Sequence, residues 1–365
     1  MAVSKRTLIT VSFYIIYLSF FTFAMLGHTP VVGEWLKIST YGGLGMLTAL
    51  ILFRIRDYSW HEVFVLFILL IYGLGIVYNT GDFALFKLGM MIFAAKGINF
   101  RKCIKFDLLA RIILTAIVFL FFYLGVLPDV TSYYEGRLRH SYGFLNPNHV
   151  GIDAFILIAE ILYLSNLKIG FKNLFISFFI LLVTDFMSGS RTAEIMNFII
   201  IILAMIYSRW KWVYNGVFAK IILRYSTWMF SGVTFALAWL YSLGISAIIA
   251  LDIAFSGRLS NIIYYYDNLG ISLFGGELLE VGRTNDSFYG FVLIGLGLVT
   301  FFLAMFAYQH LEKKLCIINQ PLAIVVFSFF LYGLSERLWM NVDYNIFMLA
   351  FAEVLYSKFS VSNQV

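Results

Sequence analysis

The residues best suited to chemistry lie in one polar stretch, Gly136-Arg137-Leu138-Arg139-His140-Ser141-Tyr142-Gly143-Phe144-Leu145-Asn146-Pro147-Asn148-His149. It brings two guanidinium groups and two imidazoles together with hydroxyl and amide side chains. Pro147 suits the first position of a helix, where its missing N–H has no partner in any case and its φ is preset. Asn146 is then the expected N-cap of an apolar helix that continues from Gly151. Arg137 and Arg139 would stand before that helix start, whose unpaired N–H groups and partial positive charge favour anions. An ordinary loop could carry the same residues. What argues for a site is that the design recurs.

Ser188-Gly189-Ser190-Arg191-Thr192-Ala193-Glu194 is a hydroxyl-rich turn that caps another apolar segment, with Arg191 in its first turn. Arg283-Thr284-Asn285-Asp286-Ser287 opens a further segment in the same way. Ser335-Glu336-Arg337 closes one, and Asn341, Asp343 and Asn345 open the next. Arginine grips planar and phosphate oxyanions through paired donors and keeps its charge at any physiological pH. Pairing with a nearby acid such as Glu135, Asp252, Glu280 or Glu336 is the bland alternative for any one of these arginines.

The elements that must position these groups are membrane-spanning helices. The 365 residues are 61% hydrophobic and only 13% charged, with a mean hydropathy of +0.89, whereas soluble domains are about half apolar and a quarter charged. Apolar segments fall at roughly 8–26, 36–53, 62–78, 83–99, 108–127, 150–166, 173–187, 191–208, 226–251, 288–309, 321–335 and 344–357. This predicts an all-α polytopic membrane protein of about 12 transmembrane helices in a single domain, 1–365, without repeats or linkers. The first segment lacks a small-residue cleavage site and reads as a retained span.

Lys5 and Arg6; Arg54 and Arg56; Arg101, Lys102 and Lys105; Lys168 and Lys172; Arg209, Lys211, Lys220 and Arg224; Lys313 and Lys314; and Lys358 fall on alternate loops. The positive-inside bias makes those loops, and both termini, cytosolic. Of thirteen lysines, only Lys37 and Lys87 then lie at or near the outer face, whereas six of thirteen arginines do: Arg137, Arg139, Arg191, Arg258, Arg283 and Arg337. A topology that excludes lysine from the outside and keeps arginine there has a use for the guanidinium. The net charge of +6 is no nucleic-acid signal, because the lysines cluster at helix ends as topology determinants. Cys103 and Cys316 lie beside cytosolic basic clusters and indicate neither a disulfide nor a metal site.

Residues 128–150 and 252–287 form the main outer loops. In the second, Leu259, Ile262, Ile263 and Tyr266 recur at i, i+3, i+4 and i+7, with Arg258, Asn261 and Asp267 off that stripe. This predicts an amphipathic helix at the membrane interface. Tyr264, Tyr265 and Tyr266 suit an aromatic belt, with stacking on sugar rings as the functional alternative, and Gly275-Gly276 lets the chain turn back. Asp153, Asp185 and Glu194 lie within about a turn of the outer face, placed to orient the arginines. Glu160 and Glu353 lie deeper, as proton relays or as snorkelling acids.

The pattern contains no phosphate-cradling glycine loop and no metal-ligand spacing. An anion reached from the membrane without nucleotides points to a lipid-linked phosphate or diphosphate. Arginines that bind it would also stabilise it as a leaving group, while a carboxylate or histidine takes the proton from an attacking sugar hydroxyl. A transporter of the lipid-linked oligosaccharide is the alternative from another class, and it calls for polar residues at the bilayer midplane.

Arg139 through His149, Ser188 through Ala193, Phe255-Ser256-Gly257-Arg258 and Asn285-Asp286-Ser287-Phe288, in that order, resemble the Wzy-type O-antigen and capsular polysaccharide polymerases, whose superfamily includes the O-antigen ligases. The resemblance runs from about Arg137 to Asn345, and the first five spans share only hydropathy with the family. It implies a metal- and cofactor-independent glycosyltransferase of the GT-C type in the bacterial plasma membrane. Such an enzyme moves a growing glycan from undecaprenyl diphosphate onto another lipid-linked repeat unit at the outer face. A chain-length-regulating co-polymerase and a repeat-unit flippase are the partners it implies. By matching motif, Arg139, Arg191 and Arg258 bind the diphosphate, and Arg137, Arg283 and Arg337 are further candidates. Asn146, Asn148, His149 and Ser190 are the other polar groups of the expected site. The ligases, which serve a different acceptor, place a histidine where Thr284 and Asn285 stand here. The departure argues against the ligase reading and leaves Asp286, then Glu336, then His140 as candidate general bases.

Overall fold

A computed structural model of the chain describes residues 5–30, 33–134, 137–277, 286–342 and 344–356, with the backbone alone for 33–39, 134 and 137. Helices occupy most of them: α1 (Lys5–Gly27), α2 (Gly33–Phe53), α3 (Trp60–Thr80), α4 (Ala84–Ala94), α5 (Phe100–Tyr123), α6 (Asn148–Leu164), α7 (Phe171–Ser188), α8 (Arg191–Arg209), α9 (Lys211–Asn215), α10 (Val217–Ser242), α11 (Ser246–Ala254), α12 (Arg258–Leu269), α13 (Phe288–Gly290), α14 (Leu298–Ile318), α15 (Gln320–Tyr332) and α16 (Ala350–Leu355). A two-stranded antiparallel hairpin, β1 (Ser132–Tyr134) with β2 (Arg137–Arg139), interrupts them. Among the described residues, six helices (α1, α3, α5, α7, α8 and α10) are long and apolar enough to cross a membrane. The pair α11–α12, bent by 104°, makes a seventh if it counts as one span.

Local chemistry explains the ends. Ser59 and Glu62 form a reciprocal capping box at α3, and Asn99 caps α5 through the Lys102 N–H. The sides carry the membrane signal. Phe171, Phe175 and Phe179 stack along α7 with ring centroids 6.3 and 6.4 Å apart, and they are 86%, 61% and 58% exposed. A bare aromatic row of this kind suits hydrocarbon, not water.

Two expected spans take other forms. The segment over 288–309 breaks between α13 and α14, passing through a π-turn at Phe291–Gly295. At Gly297, φ is +93° and an added Cβ would lie 2.3 Å from the Gly275 nitrogen. The helix opens there because a neighbouring strand of backbone docks on it, with Leu298 N–H donating to the Ser272 carbonyl at 2.9 Å. The closing segment over 344–357 is a 3₁₀ turn, Ile346–Leu349, followed by the short α16.

The chain divides into two compact units, Met1–Tyr58 with Met90–Tyr214 and Asp343–Val365, and Ser59–Gly89 with Asn215–Val342. In the first, α6 packs against α5, α7 and α8 and is buried over most of its length, as befits a helix that is apolar nearly all round. Gly151 makes the approach possible, since a Cβ there would lie 2.3 Å from that of Ala193 on α8. In the second unit α10 packs against α12, α14 and α15.

Candidate functional site

In the first unit, the polar stretch gathers the heads of α6 and α8. The hairpin register sets Arg139 opposite Ser132. Arg139 Nη2 donates to Asn148 Oδ1 at 2.5 Å, and its Nε donates to the Ser188 carbonyl at 3.3 Å. Ser190 Oγ donates to the same Asn148 oxygen at 3.2 Å. One amide oxygen thus ties the hairpin to two helix starts. The cap of α6 is nearly as expected, with the helix opening at Asn148. Pro147 is already helical (φ −53°, ψ −27°), and exposed Asn146 accepts the Asn148 N–H at 2.9 Å. Gly189 ends α7 in the left-handed conformation (φ 55°), which frees the chain to restart at Arg191, a half-buried residue heading α8.

The segment before Arg139 contributes Asp129. Its Oδ1 accepts the N–H groups of Ser141 at 2.9 Å and Tyr142 at 3.1 Å. Its Oδ2 lies 2.5 Å from Nδ1 of His140. Partial burial pushes the Asp129 carboxyl up, but the His140 contact and the two backbone donors outweigh it and hold the group below the ordinary carboxylate value. Tyr142 and Gly143, at φ 49° and 91°, turn the chain back toward the end of α5.

His149 does not join this cluster. Its ring packs 4.0 Å from that of His28 and 6.3 Å from that of Tyr344, and its buried Nδ1 has no hydrogen-bond partner among the described residues. Among the described residues, Asp153 orients none of the outer arginines either. It binds Arg111, a residue the sequence reading passed over. Arg111 donates to Asp153 Oδ1 at 2.7 Å, to Asp107 Oδ2 at 3.1 Å and to the Tyr344 carbonyl at 2.6 Å. Tyr17 donates to Asp107, and Tyr344 donates to Asp153. Glu160 is fully buried beside the same group and does not snorkel. The signal for Arg111 was available: an arginine inside an apolar span, one turn from Asp107, is an expensive placement.

In the second unit the centre is Arg258. Asp252, at the end of α11, accepts the N–H groups of Leu259 at 2.7 Å and Ser260 at 3.3 Å, and so caps α12. Ser256 and Gly257 are both left-handed (φ 59° and 76°) and aim the helix. Its buried face is Arg258, Leu259, Ile262 and Tyr265, with Tyr266 51% exposed. Arg258 therefore lies on the buried stripe and Tyr266 off it, the reverse of the expected pattern, because α12 packs on α10 and that neighbour selects the face. Arg258 Nη1 pairs with Asp286, and Nη2 donates to Glu336 Oε1 at 2.6 Å. The two leading candidates for general base are thus partners of one arginine. Arg337, next in the chain to Glu336, sets its guanidinium 4.5 Å from the centroid of the Phe291 ring. Arg283 and the side chain of Arg137 lie outside the described residues.

Among the described residues, no group of three or more His, Cys, Asp or Glu could hold a metal ion. No family model matches the sequence, and no curated protein or solved structure matches it either.

Proposed function

We propose that this chain is a membrane glycosyltransferase of the polysaccharide-polymerase kind, transferring a growing glycan from undecaprenyl diphosphate onto a lipid-linked repeat unit. The observation that carries the reading is the setting of Arg139, oriented by Asn148 Oδ1 and the Ser188 carbonyl where α6 and α8 begin. A fixed guanidinium and two helix N-termini serve one place, and a diphosphate offers the paired oxyanions they suit. Charge grows on the diphosphate as the glycosyl bond breaks, so donors fixed in advance favour the transition state over the ground state. Arg191 adds a second cation at the head of α8. Arg258 offers the same chemistry in the second unit when a phosphate displaces Asp286 and Glu336. On this reading the shorter apolar helices complete about twelve membrane-embedded segments of a GT-C-type enzyme, with the termini cytosolic and the Arg139 loop outside. The ordered motifs that resemble those of the polymerases, and the near absence of lysine from the outer loops, support it.

Deleting the gene should leave single lipid-linked repeat units in place of polymer. The purified protein, placed in vesicles with glycolipid extracted from that deletion strain, should elongate it. Arg139→Ala should stay in the membrane and stop elongation. Normal polymer from the deletion strain, or from Arg139→Ala, would overturn the reading.

A second reading, transport of the lipid-linked oligosaccharide, draws on Arg111 with Asp107, Asp153 and Glu160, ionisable groups inside apolar helices where transporters keep theirs. Movement of that glycolipid across vesicle membranes without elongation would select it.

A further inference from the structure

Asp129 belongs to none of the recurring arginine motifs, yet it organises the loop that holds Arg139. Its two oxygens receive the Ser141 and Tyr142 N–H groups and the Nδ1 edge of His140, while Ser141 Oγ accepts the Val130 N–H at 2.8 Å. An ionised carboxylate can only accept hydrogen bonds, so the hydrogen between it and the ring belongs to Nδ1. A neutral imidazole with its proton on Nδ1 carries a lone pair on Nε2. That edge has no protein hydrogen-bond partner among the described residues, and the side chain is 38% exposed, so it is open to an incoming group. Asp286 and Glu336, by contrast, have oxygens committed to Arg258.

We infer that Asp129 and His140 form a carboxylate–imidazole dyad, in which Asp129 positions His140 and His140 Nε2 takes the proton of the attacking sugar hydroxyl. The role rests on the transferase reading above. In the step, the hydroxyl oxygen forms a bond to the anomeric carbon, and the bond from that carbon to the diphosphate oxygen breaks with its electron pair leaving on the diphosphate. The hydroxyl proton passes to Nε2, and the imidazolium so formed is held by Asp129 until it returns the proton to water. His140 is the catalytic residue, and Asp129 is a positioning residue.

Two measurements test the dyad on full-length protein in detergent or vesicles. Nitrogen NMR of protein labelled at histidine should show the His140 ring protonated at Nδ1, and Asp129→Asn should shift it toward a mixture of tautomers. With glycolipid from the deletion strain as substrate, His140→Gly should elongate about 10²–10⁴-fold more slowly than wild type, and added imidazole should restore part of the rate. Asp129→Asn should lower kcat by about 10-fold or more and move KM far less, the signature of a group acting mainly in the transition state. An active wild type beside an unimpaired His140→Gly, or a ring protonated at Nε2, overturns the dyad and leaves the polymerase reading standing. A wild type that elongates nothing overturns the transferase reading, and the base role with it.

Discussion

Arg139 and Arg258 sit in motifs of one design, a polar turn feeding a helix start, yet opposite chemistry holds them. Arg139 is oriented by an amide oxygen and a backbone carbonyl, two neutral groups that fix its direction. Arg258 is held by two carboxylates, Asp286 and Glu336, and its side chain is only 7% exposed. The first arrangement suits an anion that comes and goes. The second is already balanced, and it ties the start of α12 to segments that follow 28 and 78 residues later. Sequence motifs of the same look therefore separate into a cation anchored on the neutral groups of Asn148 and Ser188 and a clasp bound by two carboxylates. Arg111 is the extreme of the second type, fully buried between Asp107 and Asp153.

If that division is right, the clasps should fail in stability and Arg139 should fail in activity. Arg111→Leu would strand two carboxylates that are 0% and 2% exposed, a loss of about 3–5 kcal/mol. Thermal melting in detergent should show a large drop. Adding Asp107→Asn and Asp153→Asn to the same protein should recover much of it, since the cost lies in the uncompensated charges. A single mutant that melts like wild type would remove Arg111 from the clasp class. Arg258→Leu should cost about 3 kcal/mol by the same mechanism, tempered because Asp286 is 28% exposed. Arg139→Lys should move stability by no more than about 1 kcal/mol, because the bonds to Asn148 and the Ser188 carbonyl are to neutral groups. A lysine cannot span Asn148 and Ser188 as the planar fork does, so elongation should fall by about 10²-fold. Equal melting shifts for the Arg139 and Arg258 variants would erase the distinction.

The helical character, the Asn146 turn before α6 and the turn before α8 were legible because each depends on neighbours in sequence. The α6 cap needs only an asparagine before a proline, and the turn before α8 needs only a glycine able to adopt positive φ. What the sequence hid depends on partners far along the chain. Arg258 was placed off the buried stripe because periodicity says which residues share a face and not which face meets α10. Asp153 was assigned to the outer arginines by proximity in depth, whereas its true partner, Arg111, lies 42 residues earlier. The break at Gly297 was invisible because hydropathy runs through it, and only the docking of residues 272–276 opens the helix. Asp129 escaped notice as a lone acid after a proline, its role created by the return of the chain at Tyr142 and Gly143.

Two smaller effects sharpen the picture of the Arg139 side. Gly151→Ala would place a methyl group 2.3 Å from the Ala193 Cβ, and overpacking of this kind costs about 1–3 kcal/mol. It should pry α6 from α8 and weaken elongation by parting Asn148 from Ser190, whereas a variant with normal melting and activity would show that the two helix starts need not meet.

The smallest effect is set by pH. Because the Asp129 carboxyl is held below its ordinary value by His140 and the Tyr142 and Ser141 donors, against the opposing push of burial, its contribution to stability is fully present above the unfolded value of about 3.9. That contribution is lost as pH falls through the lower folded value, since the protonated acid gives up its acceptor role. Acidification from neutral pH should therefore leave the Ser141 and Tyr142 amides protected until below about pH 4. Further acidification should then release them ahead of the α6 and α8 amides, as read by hydrogen exchange corrected for intrinsic rate. Asp129→Asn should leave both amides weakly protected at every pH. Amides that stayed protected in acid would mean that the hairpin pairing and the Arg139 contacts hold this loop without the Asp129 carboxylate.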